Sequence, residues 1–316
     1  MKRLQNRIAE GGLTLPVAAV FAIAVWLYGG LVTQQLWPQF ACFTVSVYLF
    51  IELTNQNALL RVRSRMVSST FIMLSCTASF LFPSMTGALV QMFLIGSLLF
   101  LFQTYQDPLA VGHTFYAFVG IGLASLAFVQ TLWYVPLLWV LMATQLQALS
   151  WRSWLASVIG LTTPYWFALL WLLTPFSIPE GGGIDLTPLA DHFSLLVPQF
   201  SAAHLSHLAP HFFPLLFTLL LAGMGMLHFW QYSFEDKIRI RLLYGFFIAL
   251  TIYTLVLILV LPQQADVLMR ILFIGASPII AHVMTFTNTR LSNILFFVAI
   301  AMAVALTVVS LLPLTP

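Results

Sequence analysis

The chain has 316 residues, of which 61% are hydrophobic, 15% aromatic and only 7% charged, with a formal net charge of +3. A mean hydropathy of +0.99 excludes an ordinary water-soluble domain. The basic excess lies beside the ends of apolar segments and forms no extended patch, which excludes nucleic acid as a partner.

No Asp, Glu, Lys or Arg occurs in 11–51, 66–106, 108–151, 153–179, 192–234, 242–265, 271–289 or 291–316. A helix needs ~20 apolar residues to cross a bilayer, and only helices satisfy the backbone of such runs in hydrocarbon. Pro, Gly and polar clusters divide these windows into segments at 13–33, 37–54, 66–83, 87–104, 113–130, 132–149, 154–174, 212–230, 241–262, 267–286 and 292–312. The fold class expected is therefore all-α, a polytopic transmembrane helical bundle of about eleven spans. The basic opening MKRLQNRIAEGG precedes a long apolar run without a small-residue cleavage site, so the first span is read as retained. Cys42 and Cys76 both fall inside spans and have no metal or redox spacing, which fits small buried thiols.

With the amino terminus cytoplasmic, the inside segments hold Lys2, Arg3, Arg7, Arg61, Arg63, Arg65, Arg152, Lys237, Arg239, Arg241 and Arg290, and the outside segments hold only Arg270. That asymmetry predicts a cytoplasmic amino terminus and an outside carboxyl terminus. Segment 192–211 is interrupted by Pro198 and Pro210 and carries four His, so an amphipathic helix on the outer surface is expected there, centred near 202–208.

The two halves resemble each other. GLTLP at 12–16 recurs as GLTTP at 160–164, and Arg61, Arg63 and Arg65 correspond to Lys237, Arg239 and Arg241. Pro83 then matches Pro262, Ile95-Gly96 matches Ile274-Gly275, and FVGIGLA at 118–124 matches FVAIAMA at 297–303. The pieces fall in order at nearly constant offsets, which predicts a duplication. The domains expected are a first five-span repeat at 1–130, a connector span at 131–153, and a second five-span repeat at 154–316 containing an outer loop at 175–211. An odd connector makes this a parallel 5+1+5 repeat about an axis along the membrane normal, a plan that places substrates between the halves in transporters.

The outer loop carries Glu180, Asp185, Asp191, His192, His204, His207 and His211. His204, His207 and His211 fall within roughly 60° of one helical face, but Pro210 interrupts the last pair, so interfacial histidines are expected rather than a metal site. Near the inner ends of spans 2, 4 and 5 lie Glu52, Asp107 and His113, with His228 and His282 at similar depth. The two acids are expected to neutralise Arg61, Arg63 and Arg65; in the functional reading, the group forms the mouth of a substrate path. The candidate substrate-binding positions are Asp185, Asp191, His192, His204, His207, His211, Arg270, Glu52, Asp107 and His113. Small residues such as Ala117, Gly120, Ala124 and Gly223 are expected to let helices pack closely. No charge is expected near a membrane midplane, and no Walker loop, dinucleotide Gly pattern, H-E-x-x-H or nucleophile elbow is present; no cofactor is expected.

Tyr105-Gln106-Asp107, Phe115, Leu123-Ala124-Ser125-Leu126, Trp151-Arg152-Ser153-Trp154 and Gly160 with Pro164-Tyr165 give the stretch from Tyr105 to Trp171 its character. This stretch, about a fifth of the chain, resembles an uncharacterised family of polytopic inner-membrane proteins of Gram-negative bacteria. The resemblance implies a bacterial inner-membrane location, with the carboxyl terminus periplasmic, and supplies no activity. The function expected is to move or position an amphiphilic, lipid-linked envelope substrate, with membrane lipids and membrane-complex subunits as partners. Alternatives are a lipid-linked glycosyl or acyl transferase using the outer loop, and a non-catalytic scaffold of an envelope complex.

Overall fold

The computed structural model describes residues 3–62, 64–172, 187–197 and 208–312. Among them the chain is helical throughout, with no strand: α1 (Leu4–Glu10), α2 (Thr14–Tyr28), α3 (Trp37–Asn57), α4 (Met66–Thr77), α5 (Met85–Phe102), α6 (Val111–Ala127), α7 (Tyr134–Thr144), α8 (Trp151–Leu172), α9 (Thr187–Ser194), α10 (Phe212–Tyr232), α11 (Ile238–Val260), α12 (Ala265–Phe286) and α13 (Arg290–Leu311). Five stretches, formed by α5, α10, α11, α12 and α13, are long and apolar enough to cross a membrane, as expected of a membrane-embedded protein. The bent pair α1–α2, turned by 82°, would make a sixth if counted as one span.

Each predicted segment overlaps a helix, but three are shorter than expected, the first of them, at 13–33, ending at Tyr28. The segment expected at 66–83 stops at Thr77, followed by a 3-10 turn at Ser79–Leu81, and that at 132–149 is reduced to α7 after a 3-10 turn at Val129–Trp133. Thr77 Oγ1 donates to Leu74 O at 2.7 Å where α4 ends; this back-bonding competes with continuation of the helix. Of the helix expected at 202–208, only Leu208 is described. Helix α9 lies earlier, and 208–211 forms turns leading into α10. The basic opening segment, for which no helix was expected, forms α1.

Contacts divide the chain into two compact units, 1–91 with 202–316 and 92–201. In the first, α12 is the centre: 94% of its most apolar window is buried, against 22% for α13. Small residues permit the close crossings. A Cβ on Gly225 of α10 would lie 2.6 Å from Ile279 O of α12, whereas one on Gly223 would meet nothing within 4 Å. The expectation for Gly223 is thus corrected: Gly225, on the facing side of α10, makes the close approach. Trp26 anchors a second cluster, stacked on Phe82 at 3.9 Å with Phe40 and Phe43 beside it.

Loops 58–65, 233–237 and 287–289 gather with α1 at one end of this unit. Arg61 Nη1 donates to Glu235 Oε2 at 2.6 Å, Arg239 Nη2 to Asn57 Oδ1 at 2.8 Å, Gln5 Nε2 to Met284 O at 2.6 Å, and Ser64 Oγ to Ala9 O. Asn6 Nδ2 adds bonds to Thr285 O and Thr287 O, so the polar face of α1 satisfies carbonyls at the end of α12.

In the second unit, α6 and α8 approach through reciprocal glycines. A Cβ on Gly122 would lie 2.6 Å from Leu161 O, and one on Gly160 would lie 2.5 Å from Phe115 O. Helix α9 docks here: His192 Nε2 lies 3.0 Å from Ser125 O, Phe193 stacks on Tyr165 at 5.5 Å, and Gln130 Nε2 donates to Leu195 O at 2.9 Å.

Candidate functional site

Among the described residues, the first unit holds an apolar chamber of about 720 Å³. One wall is the elbow between α1 and α2, where Gly11 and Gly12 let the chain turn; α4 contributes Ser69, Thr70 and Met73, and α10 contributes Phe217 and Leu221. Ile280 and Met284 of α12 and Phe296 and Ala303 of α13 complete it. Thr14 Oγ1 fixes the elbow by donating to Ile8 O at 2.5 Å and Gly11 O at 3.0 Å. Arg7 is the one charged residue among those lining the chamber, and it is exposed. The volume is that of a small-molecule site, typically about 300–1,000 Å³.

The same unit holds an ionic network centred on Asp236. Asp236 caps the turn after α10, its side chain 1% exposed; Arg61 Nε approaches Oδ1 at 2.8 Å and His282 Nε2 approaches Oδ2 at 3.1 Å. His282, fully buried in α12, sits among Phe229, Tyr244, Phe286 and His228, all with ring centroids 4.8–5.4 Å away. Arg61 also lies over the Phe286 ring at 4.4 Å. His282 Nδ1, His228 Nδ1 and Tyr244 Oη are buried without a hydrogen-bond partner. With Asp236 and His282 buried and Arg61 partly exposed at its edge, the network is built to hold the loops after α3 and α10 against α12.

The sequence candidates are scattered. Glu52, half-buried on α3, accepts from Gln56 Nε2 at 2.7 Å. Asp107 is exposed and accepts from Leu109 N at 2.9 Å in a local turn, and His113 is exposed near the start of α6. The acids paired with Arg61 are Glu235 and Asp236, not Glu52 and Asp107, because the loop after α10 reaches Arg61 directly; Arg65 instead donates to Asn55 Oδ1 at 2.6 Å. Asp191 is exposed, while His192 holds α9 against Ser125. His211 precedes α10, buried, with Nε2 2.5 Å from Asp266 Oδ1 and its ring edge-on to Phe80. Glu180, Asp185, His204, His207 and Arg63 lie outside the described residues. Among the described residues no three His, Cys, Asp or Glu side chains cluster as a metal site would require.

Arg270 departs most from expectation. It is not at an outer surface: it is 5% exposed within α12, its Nη1 donating to Gln91 Oε1 at 3.2 Å and its Nη2 to Leu81 O. A Cβ on Gly87 would come within 2.8 Å of its Nε, so glycine there makes room for the guanidinium. The chamber, Asp236 and Gln91 were missed from sequence. Asp236 stands in a run of charges, Glu235-Asp236-Lys237, that reads as solvated, and the elbow's signal was the Gly11-Gly12 pair. No protein-family model, no curated protein and no solved structure matches the chain.

Proposed function

We propose that this protein binds and positions an amphiphile in the membrane, its hydrocarbon chain in the chamber and its anionic head at Arg7. The observation that carries this reading is an apolar chamber of about 720 Å³ with a single charged lining residue, an arginine, at the α1–α2 elbow. Moving a lipid chain from bilayer to chamber exchanges one apolar surrounding for another, so the chain itself contributes little net driving force. Discrimination then falls to the head, where each basic residue near a membrane surface favours an anionic group by ~1 kcal/mol. A lipid-linked envelope substrate in a bacterial inner membrane has this chemistry.

The full reading places about eleven spans in that membrane, with the amino terminus cytoplasmic and the carboxyl terminus periplasmic. Its support is the gathering of Arg7, Arg61, Arg65, Lys237, Arg239, Arg241 and Arg290 on α1 and on the loops or helix starts at one end of the first unit. The parallel repeat belongs to the same proposal. Its support is the shared junction after α4 and α11: Ala78 (φ −124°, ψ 54°) and Leu261 (φ −124°, ψ 57°) each lead into a 3-10 turn and then the next helix.

The test is native mass spectrometry of the full chain purified in mild detergent. An anionic lipid should be retained; R7Q should lower its retention ~5-fold, the equivalent of about 1 kcal/mol. A303F, which fills the chamber, should remove bound lipid whatever its head. Lipid retention that ignores both changes would refute the reading.

A further inference from the structure

A second, much smaller cavity lies in the same unit, about 10 Å³, lined in part by Trp26, Gln91 and Arg270. Each of these residues has a buried nitrogen with no acceptor: Trp26 Nε1, Gln91 Nε2 and Arg270 Nε. The three residues are 1%, 2% and 5% exposed. The three residues come from α2, α5 and α12, distant in sequence, and line one small space. Buried donors are normally satisfied, and three unsatisfied ones around one cavity call for a common acceptor.

The orientation of the Gln91 amide follows from its partner. Its Oε1 accepts from Arg270 Nη1, and turning the amide would set N–H against N–H, so Nε2 is the end left over. Among the described residues no carboxylate pairs with Arg270. Asp266, one turn earlier on α12, has Oδ1 bound by His211 Nε2 at 2.5 Å. Asp266 offsets part of the Arg270 charge from a distance, but a guanidinium buried in a low-dielectric interior without a direct ion pair is costly. The one hydroxyl in the lining, Ser75 Oγ, already donates to Phe71 O at 2.9 Å.

A water molecule could give its own hydrogens to lone pairs such as those of Ser75 Oγ, but its two lone pairs accept from only two of the three donors. A halide accepts from every side and neutralises the guanidinium. A cavity needs roughly 10–15 Å³ to take one water-sized particle, so phosphate, sulfate or a lipid head does not fit, and a chloride, slightly larger than water, enters with a small outward shift of the lining. The geometry points to a buried site for a single chloride-sized anion, held by Arg270, Gln91 and Trp26. The anion ties α2 and α5 to α12, and it is independent of what the large chamber binds.

The experiment is thermal unfolding of the full chain in detergent at constant ionic strength, with chloride replaced stepwise by gluconate, which is too large for the cavity. The melting temperature should rise saturably with chloride, by mass action on the folded state. W26F keeps the stack on Phe82 and removes one donor; Q91L removes another. Each should raise the half-saturating chloride concentration ~5–10-fold, the worth of one hydrogen bond, and R270M should abolish the chloride dependence. If R270M does not fold, W26F and Q91L still decide the matter. Identical melting in chloride and gluconate would mean that the cavity holds water, and a chloride effect unchanged in W26F and Q91L would place it elsewhere; either result overturns the proposal.

Discussion

Arg270 donates to Gln91 across a separation of 179 residues, the same offset at which Pro83 matches Pro262 and Ile95-Gly96 matches Ile274-Gly275. Two positions that correspond in a pair of repeats can touch each other only near the axis relating those repeats. If α5 and α12 are such a pair, the axis passes between these side chains, and the site should accept its two residues in exchanged places. Gly87, which makes room for Arg270, corresponds at this offset to Asp266, so an arginine at position 91 would meet a carboxylate.

The prediction is that R270Q and Q91R each destabilise the protein and that the exchange variant Q91R/R270Q recovers much of the loss. R270Q leaves Leu81 O without its donor, at a cost of about 1–3 kcal/mol. Q91R alone sets two guanidinium groups together and should cost more. Melting in detergent checks both. An exchange variant no more stable than the worse single variant would count against an axis at this contact.

The ionic network makes a second prediction. Asp236 binds Arg61 at 2.8 Å and His282 at 3.1 Å, with its own side chain 1% exposed. Removing one partner of a buried pair costs about 3–5 kcal/mol, less where the survivor reaches water. Arg61 is 28% exposed and can do so, whereas His282 cannot. D236A should therefore cost ~3 kcal/mol, mostly from the stranded imidazole. H282F keeps the ring contacts with Phe229, Tyr244 and Phe286, so D236A/H282F should cost less than the sum of the single changes by at least ~1 kcal/mol. Additive losses would show that the two residues stabilise the fold separately.

Gly223 and Gly225 offer a paired comparison on one helix. G225A drives a methyl to within 2.6 Å of Ile279 O, backbone that cannot move aside, and overpacking of this kind costs about 1–3 kcal/mol. G223A meets open space, and exchanging Gly for Ala in a helix favours the helix by up to ~1 kcal/mol. Denaturation of the two variants side by side should show one loss and one neutral or favourable change. Equal losses would mean that this crossing of α10 and α12 is misplaced.

These glycines also show how far the sequence could be read. Uncharged windows bounded by Pro and Gly located the helices, because apolar runs of that length have few structures open to them. Which glycine faces the neighbouring helix depends on rotation about the α10 axis, set by packing against α12, and that is not written locally. Arg270 stands at the edge of an uncharged window, where a surface position and a buried one look alike; Gln91 and the Leu81 carbonyl decide between them from 179 and 189 residues away. Asp236 was obscure for the same reason, since its partner Arg61 comes from the loop before α4. Helix α1 was too short and polar for a hydrophobic pattern; it is held by Gln5 and Asn6 on the end of α12 and the turn after it.

The last prediction concerns α9. Its attachment in the second unit includes the His192 contact with Ser125 O at 3.0 Å, the Phe193 stack on Tyr165 at 5.5 Å, and the Gln130 bond to Leu195 O. Phe193 is 39% exposed, so its burial is partial. Two hydrogen bonds of about 1 kcal/mol each and a partly covered ring make a weak anchor, of the size associated with local opening rather than global unfolding. H192A/F193A should therefore release α9 while leaving the melting of the whole chain nearly unchanged. Limited proteolysis should show the difference as several-fold faster cleavage within 187–197. Tyr165 would lose its stacking partner but keep its hydroxyl contact with Ser125 at 2.7 Å, so the packing of α6 on α8 should persist. A large fall in melting temperature would show that α9 is integral to the unit, and unchanged cleavage would show that other contacts hold it.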